Sequence, residues 1–173
     1  MYTLVSGQTR NGKITFEQYI QAAGFDSILQ AANRHLLPMS DNQFQLYRQT
    51  NAVGKQTNTF LDLEVLDIST GKRRPVGNLS GGESFKASLS LALGLSDTIA
   101  ENRGGIQMDA LFVDEGFGTL DSKSLEETKD ALLSMSGENK LVGIISHRDE
   151  LMDIPQKLRV TKGRGGSRIQ MEL

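Results

Sequence analysis

The chain has 173 residues, 38% of them hydrophobic and 23% charged, with a net charge of −2 and no cysteine. This is the composition of a globular domain large enough to bury a core, and it excludes disulfides, zinc–thiolate sites and cysteine nucleophiles. No apolar run approaches the roughly 20 residues that span a bilayer, no signal peptide is visible at Met1-Tyr2-Thr3-Leu4, and no global basic field marks nucleic acid, so any DNA contact has to come from a local patch or a partner.

Residues 1–14 are polar and glycine-containing and read as a lead-in loop. Thr15 opens a helical pattern, with Gln18 at the spacing of a capping box. Phe16, Tyr19, Ile20, Ala23, Ile28, Ala31 and Ala32 follow helical spacing. This helix is predicted to run to about Leu37 and stop before Pro38, because the residue ahead of a proline disfavours helical backbone. Phe44-Gln45-Leu46-Tyr47 and Leu61-Asp62-Leu63-Glu64-Val65 alternate as two strands suited to antiparallel pairing, with Leu61, Leu63 and Val65 facing one way. Ser69-Thr70-Gly71-Lys72 reads as a turn.

A second helix is predicted from Ser80 to about Asn102, then a short apolar strand from Ala110 to Val113. A third helix, capped near Asp121 or Ser122, runs to Met135, and a second apolar strand runs from Leu141 to Ile145. Two short strands close the chain, Lys157 to Val160 and Ile169 to Leu173, around a Lys162-Gly163-Arg164-Gly165-Gly166 turn. Strand, helix, strand with wholly apolar strands gives an α/β class with a parallel sheet buried on both faces.

Three places carry chemistry. In Leu79-Ser80-Gly81-Gly82-Glu83, Ser80 and Glu83 have capping-box spacing and two glycines leave the first-turn amides bare. Such a helix start attracts an anion, although an ordinary capped helix behind a flexible turn has the same pentapeptide. Leu111-Phe112-Val113 delivers Asp114 and Glu115 at its carboxyl end, the edge of an open α/β sheet where ligands bind. Adjacent acids on extended chain point in different directions. One can serve a magnesium ion, which prefers few carboxylates, and the other can activate a water for in-line attack on a phosphate. Taken alone, the pair also fits two solvated acids. His147 follows the second apolar strand to the same edge, where it could meet a phosphate or a water or lie on the surface. His35, near the end of the first helix, reads as structural.

In this order the parts resemble the ABC-type ATPase heads of the P-loop NTPases. Leu79 to Glu83 resembles their signature motif, and Leu111 to Glu115 the Walker B strand with its following glutamate. Gly118-Thr119-Leu120-Asp121 resembles the D-loop, and His147 the switch histidine. The whole run from Leu111 to Asp121 is similar to the carboxyl-terminal lobe of the SbcC family, the ATPases of bacterial SbcCD nucleases. Ile14-Thr15-Phe16-Glu17-Gln18-Tyr19-Ile20 through Ala31-Ala32-Asn33 resembles the SbcC segment after the returning coiled coil.

The resemblance implies that residues 1–173 are the carboxyl-terminal lobe of a head, a mostly parallel sheet flanked by helices with a small antiparallel part. It implies ATP and Mg2+ as cofactors. Ser80, Gly81, Gly82 and Glu83 would face the γ-phosphate of ATP bound by an opposing head, and Asp114 would hold the magnesium shell. Glu115 would be the general base, Asp121 would connect the two sites across the dimer, and His147 would hold or sense the γ-phosphate. The implied partners are the amino-terminal P-loop lobe of the same protein, a second head in a homodimer, an SbcD-like nuclease and DNA, with no membrane. The implied location is cytoplasmic and nucleoid-associated.

A complete head needs a P-loop. Gly7-Gln8-Thr9-Arg10-Asn11-Gly12-Lys13 has the glycine–lysine spacing, but Ile14 stands where a magnesium-binding Ser or Thr belongs and Leu4-Val5 is a poor strand. The expectation is therefore a second lobe, with the P-loop lobe and a coiled coil upstream, and inactive alone. Two other readings share the signature: the nucleotide-binding domain of an ABC transporter, and a chromosome-organising ATPase of the SMC type. Transporters usually continue after the signature with glutamine and arginine, where this chain has Ser84-Phe85-Lys86. SMC proteins usually follow the acid pair with an aspartate- and alanine-containing run, which is missing here. The basic clusters Lys72-Arg73-Arg74 and Lys157, Arg159, Lys162, Arg164, Arg168 read as solvated turns.

Overall fold

The computed structural model describes residues 8–9, 12–13, 16–49, 61–102, 109–136 and 141–172. Strands β1 (Gln8–Thr9) and β2 (Gly12–Lys13) pair antiparallel, Gln8 opposite Lys13. Antiparallel pairing of Gly12–Lys13 differs from the strand, glycine loop and helix that a P-loop requires. Thr15 and the Gln18 side chain, the expected cap, lie outside the described residues.

Helix α1 (Phe16–Met39) outlasts its predicted end and holds Pro38 in its last turn. A proline there forfeits one hydrogen bond instead of breaking a helix interior. The buried Leu36 and Met39 on either side anchor the turn. Ser40 N–H donates to Leu36 O (2.9 Å), and Asn42 N–H to Leu37 O (2.8 Å). Asp41 and Asn42 then take left-handed backbone, φ 51° and 58°, and turn the chain out.

Strands β3 (Phe44–Arg48), β4 (Leu63–Asp67) and β5 (Lys72–Pro75) form an antiparallel sheet with β4 in the middle. The expected pairing is present, with Leu46 opposite Val65. Leu61 stands exposed in a turn ahead of β4 instead of sharing its face. The third strand is the basic run Lys72-Arg73-Arg74, which its charge alone marks as a solvated turn. Its guanidinium groups reach across β4 and stack on aromatic rings of β3, Arg73 on Tyr47 (4.4 Å) and Arg74 on Phe44 (5.5 Å). Arginine over a ring gains electrostatic attraction while its stem covers apolar surface, so the run pairs as a strand although Lys72 and Arg73 stay exposed. At the free edge of β3, the Asn33 side chain accepts from Leu46 N–H (2.7 Å) and donates to Leu46 O (2.9 Å). One amide thus satisfies the two Leu46 groups that no described strand meets.

Helix α2 (Gly81–Asn102) crosses α1 so closely at Gly94 that a Cβ there would overlap Ala32 N and lie 2.7 Å from Ala32 Cα. One core forms where α1 and α2 cover the antiparallel sheet, built on Leu29, Leu36, Leu46, Val65 and Ala87. The second joins α2 to strands β6 (Ala110–Asp114) and β7 (Leu141–Ile145) and to helix α3 (Ser122–Met135). It holds Leu93, Val113, Phe117, Leu125 and Leu132.

Strands β6 and β7 run parallel, with Val113 opposite Ile144. The class is α/β as expected, and the parallel part among the described residues is this one pair. Only one face of the pair is buried. Leu111, Val113, Val142 and Ile144 point into the core, while Phe112 is 64% exposed with Leu141 and Ile145 on the same open face. The expectation of a sheet covered on both faces is therefore met on one side: the strands have the apolar sequence for a second layer, and no described residue supplies it. Strands β8 (Lys157–Gly163) and β9 (Gly166–Glu172) are longer than predicted and form a hairpin with only Arg164 and Gly165 between them. Leu158, Val160, Ile169 and Met171 line one exposed face of it.

Candidate functional site

The glycine-rich turn forms the capping box that its spacing predicts. Ser80 N–H donates to Glu83 Oε2 (2.7 Å), and Glu83 N–H donates to Ser80 Oγ (3.3 Å). Arg74 of β5 also holds Glu83, through a 2.9 Å ion pair. Partial burial pushes the Glu83 carboxyl up, but hydrogen bonds from Ser80 and the Arg74 charge outweigh it and hold the group below its ordinary range. Glu83 therefore faces the cap and Arg74, while the exposed Ser80 and Gly81 and the half-buried Gly82 present the helix start.

Both glycines lie close against the neighbour beneath them. A Cβ on Gly81 would stand 3.2 Å from Thr119 Cγ2, and one on Gly82 would stand 3.2 Å from Thr119 O. The D-loop-like turn thus lies directly under the signature-like turn. Asp121 ends that turn as the cap of α3, with its Oδ1 accepting from Ser124 N–H (2.7 Å). That hydrogen bond holds the Asp121 carboxyl below its ordinary value. A cleft of about 350 Å³ runs between these parts, lined by Ser80, Gly81, Gly82, Lys86 and Asp121 among others. Lys86, which no sequence pattern marks, is buried and bridges α2 to α3 through Ser124 Oγ (2.9 Å) and Glu127 (3.3 Å). Its partners are about forty residues away in sequence, so no local pattern could show them.

Asp114 and Glu115 stand at the carboxyl end of β6, both exposed. Glu115 takes left-handed backbone, φ 57°, and is held by its N–H donating to Ile145 O (2.9 Å). This conformation is uncommon for a residue with a side chain and turns Glu115 off the line of the strand. His147 arrives from β7, with its Nδ1 at 3.2 Å from both Glu115 carboxylate oxygens. Two residues 32 positions apart in sequence thus meet at one sheet edge. The structure sorts the sequence-predicted residues into two groups: Asp114, Glu115 and His147 at the strand ends, and Ser80, Gly81, Gly82, Glu83 and Asp121 around the cleft. Among the described residues no cluster of three or more His, Asp or Glu could hold a metal by itself. A single exposed aspartate beside a phosphate is a sufficient protein share for magnesium, which keeps most of its waters.

Residues 52–133 match the family model "SbcC/RAD50-like, Walker B motif". The SbcC component of the SbcCD nuclease from Staphylococcus aureus strain JH9 is 43% identical over 158 residues, and that of strain Newman gives the same figure. The match takes in 91% of this chain and 15% of the relative. Over these residues the chain is similar to SbcC/RAD50-like proteins.

Solved structures similar to this chain include SMC ATPase heads. One, from work on ATP-driven dimerisation and DNA-stimulated activation of SMC ATPases, aligns with a TM-score of 0.68 at 15% identity, over 89% of this chain and 88% of that one. The SMC head domain of Thermotoga maritima aligns at 0.58 and 17%, over 90% of this chain and 51% of that one. At such identities the likeness shows a shared fold. The chain spans about 15% of the length of the curated relatives it matches. No described helix is long and apolar enough to cross a membrane.

Proposed function

We propose that residues 1–173 form the carboxyl-terminal lobe of an SbcC-like ATPase head. In this reading ATP binds between two heads and its hydrolysis governs a partner nuclease of the SbcD kind acting on DNA. The observation that carries it is the Glu115–His147 pair beside Asp114 at the end of β6, in a chain that also presents a capped glycine turn. Glu115 would take a proton from a water aimed at the γ-phosphorus, and His147, 3.2 Å from both of its oxygens, would orient it. Asp114 would hold Mg2+, which supplies charge neutralisation for the phosphate oxygens. The bare amides of Gly81 and Gly82, at the positive end of α2, would receive the γ-phosphate of ATP held by the opposing head. Asp121, below that turn, would join one site to the other.

The open face of β6 and β7 supports the idea of a missing P-loop lobe, because it carries Phe112 and Asp114 side by side. The lobe that covers Phe112 would bring the nucleotide to Asp114. The partner nuclease is suggested by the name of the SbcCD relatives; its control, the DNA substrate, the nucleoid location and the homodimer rest on the resemblance to SbcC and the ABC-type heads.

The test is Glu115→Gln in a head assembled with its P-loop lobe. We expect ATP binding and head association to persist while turnover falls about 100-fold or more, the usual loss on removing a general base. Near-normal turnover would remove Glu115 from that role.

A further inference from the structure

The two groups of site residues are joined by one aromatic contact that the proposed chemistry does not use. Phe85 lies on α2, one turn beyond the glycine pair, and its ring rests on Gly116, the residue after Glu115. A Cβ on Gly116 would overlap Phe85 Cε2 and lie 2.6 Å from Cδ2. Gly116 also has φ 92°, so both its backbone and the ring above it require glycine. The same ring meets Phe117 edge-on, with centroids 5.0 Å apart, and Phe117 is fully buried. Farther along, Thr119 and Leu120 lie beneath Gly81 and Gly82. The segment from Gly116 to Leu120 therefore lies along the first two turns of α2. Glu115 sits at its start, in a strained backbone conformation held by Ile145 O and by its neighbours.

We infer that Phe85 is a positioning residue that couples the signature turn at one nucleotide to the general base at the other. The inference rests on the function proposed above, in which the two groups serve different ATP molecules. A movement of the start of α2 toward Gly116 as heads close cannot leave Gly116 in place, because the ring and the glycine backbone are already in contact. It must either carry Gly116 along or turn the Phe85 ring. Phe117, buried against the same ring, opposes the second choice. The displacement then reaches Glu115, whose φ has little room among the states open to a non-glycine residue.

The test uses heads assembled from both lobes, comparing Phe85→Ala and Phe85→Tyr with the parent. Head association driven by ATP is measured beside turnover over a range of ATP concentrations. Phe85→Ala is expected to keep its association midpoint within about twofold while kcat falls about tenfold or more, the scale of a misplaced catalytic group. Its Hill coefficient for ATP should fall to about 1, the value for uncoupled sites. Phe85→Tyr, which keeps the ring, should restore both. Unchanged kcat and cooperativity in Phe85→Ala would overturn the coupling, and so would a parallel loss of association and turnover that Phe85→Tyr does not restore. If Phe85→Ala does not fold, Phe85→Leu carries the same comparison. Glu115→Gln separates the two readings. If it leaves turnover intact, the general-base reading fails. If it stops turnover while Phe85→Ala remains cooperative, only the coupling fails.

Discussion

The Glu83 carboxylate accepts from the Ser80 amide and pairs with Arg74, and both contacts favour its charged form. Its pKa in the folded chain lies below the ordinary 4.5. The unfolded chain therefore binds more protons on this group as the pH falls, so the stabilisation is present above pH 4.5 and fades below it. Glu83→Gln keeps an oxygen for the cap but loses the charge. We expect it to lower stability near neutral pH by on the order of 1 kcal/mol, the scale of a helix cap. Urea midpoints of the two proteins should converge as the pH falls below the ordinary carboxylate range. A gap of constant size across that range would mean that the charge on Glu83 does not matter. The residue scale also shows what spacing can and cannot tell. Ser80 and Glu83 are neighbours on a helix start, so the cap is legible. The Glu115–His147 pair was legible only as two residues bound for the same edge. Phe85 and Lys86 were not legible, because their partners Gly116, Ser124 and Glu127 are distant in sequence and set by packing.

At the scale of elements, periodicity located α2, α3, β6 and β7 nearly to the residue, because apolar content and caps agree along each. It failed where side chains do two jobs. The basic run at β5 is a strand because Arg73 and Arg74 stack on Tyr47 and Phe44, contacts invisible to a hydrophobic pattern. Pro38 stays inside α1 because tertiary burial of Met39 extends the helix past it. Gly94 is the opposite case, a glycine inside a helix that intrinsic preference disfavours. The crossing with α1 explains it: an added Cβ would overlap Ala32 N and stand 2.8 Å from Ile28 O. Backbone cannot move aside as a flexible side chain can. Gly94→Ala should therefore cost about 1–3 kcal/mol or more despite alanine's better helix propensity. Thermal melts would show it, and a melting temperature at or above the parent's would mean that the two helices separate easily.

The whole molecule has cover on one side of β6 and β7 and, among the described residues, none on the other. Phe112, Leu141 and Ile145 together form an exposed apolar patch on a pair of parallel strands, an arrangement that is stable in globular proteins mainly when both faces are packed. Leu158, Val160, Ile169 and Met171 form a second such face on the hairpin. If a P-loop lobe completes the sheet, Phe112 should sit at the centre of its contact and next to Asp114, the residue proposed to hold magnesium. Phe112→Asp would then place a charge in that contact, and an unpaired buried charge is costly enough to be avoided altogether. We expect the substituted chain to lose only about 1 kcal/mol when alone, the span of strand preferences, because residue 112 is exposed there apart from its ring over Gly143, and to be less prone to self-association. Mixed with a separately produced P-loop lobe, it should fail to co-migrate in analytical ultracentrifugation, whereas the parent chain forms a one-to-one complex. Turnover should be lost with the complex. Equal complex formation by both chains would show that the open face is not where the second lobe docks, and it would leave the hairpin as the alternative seat.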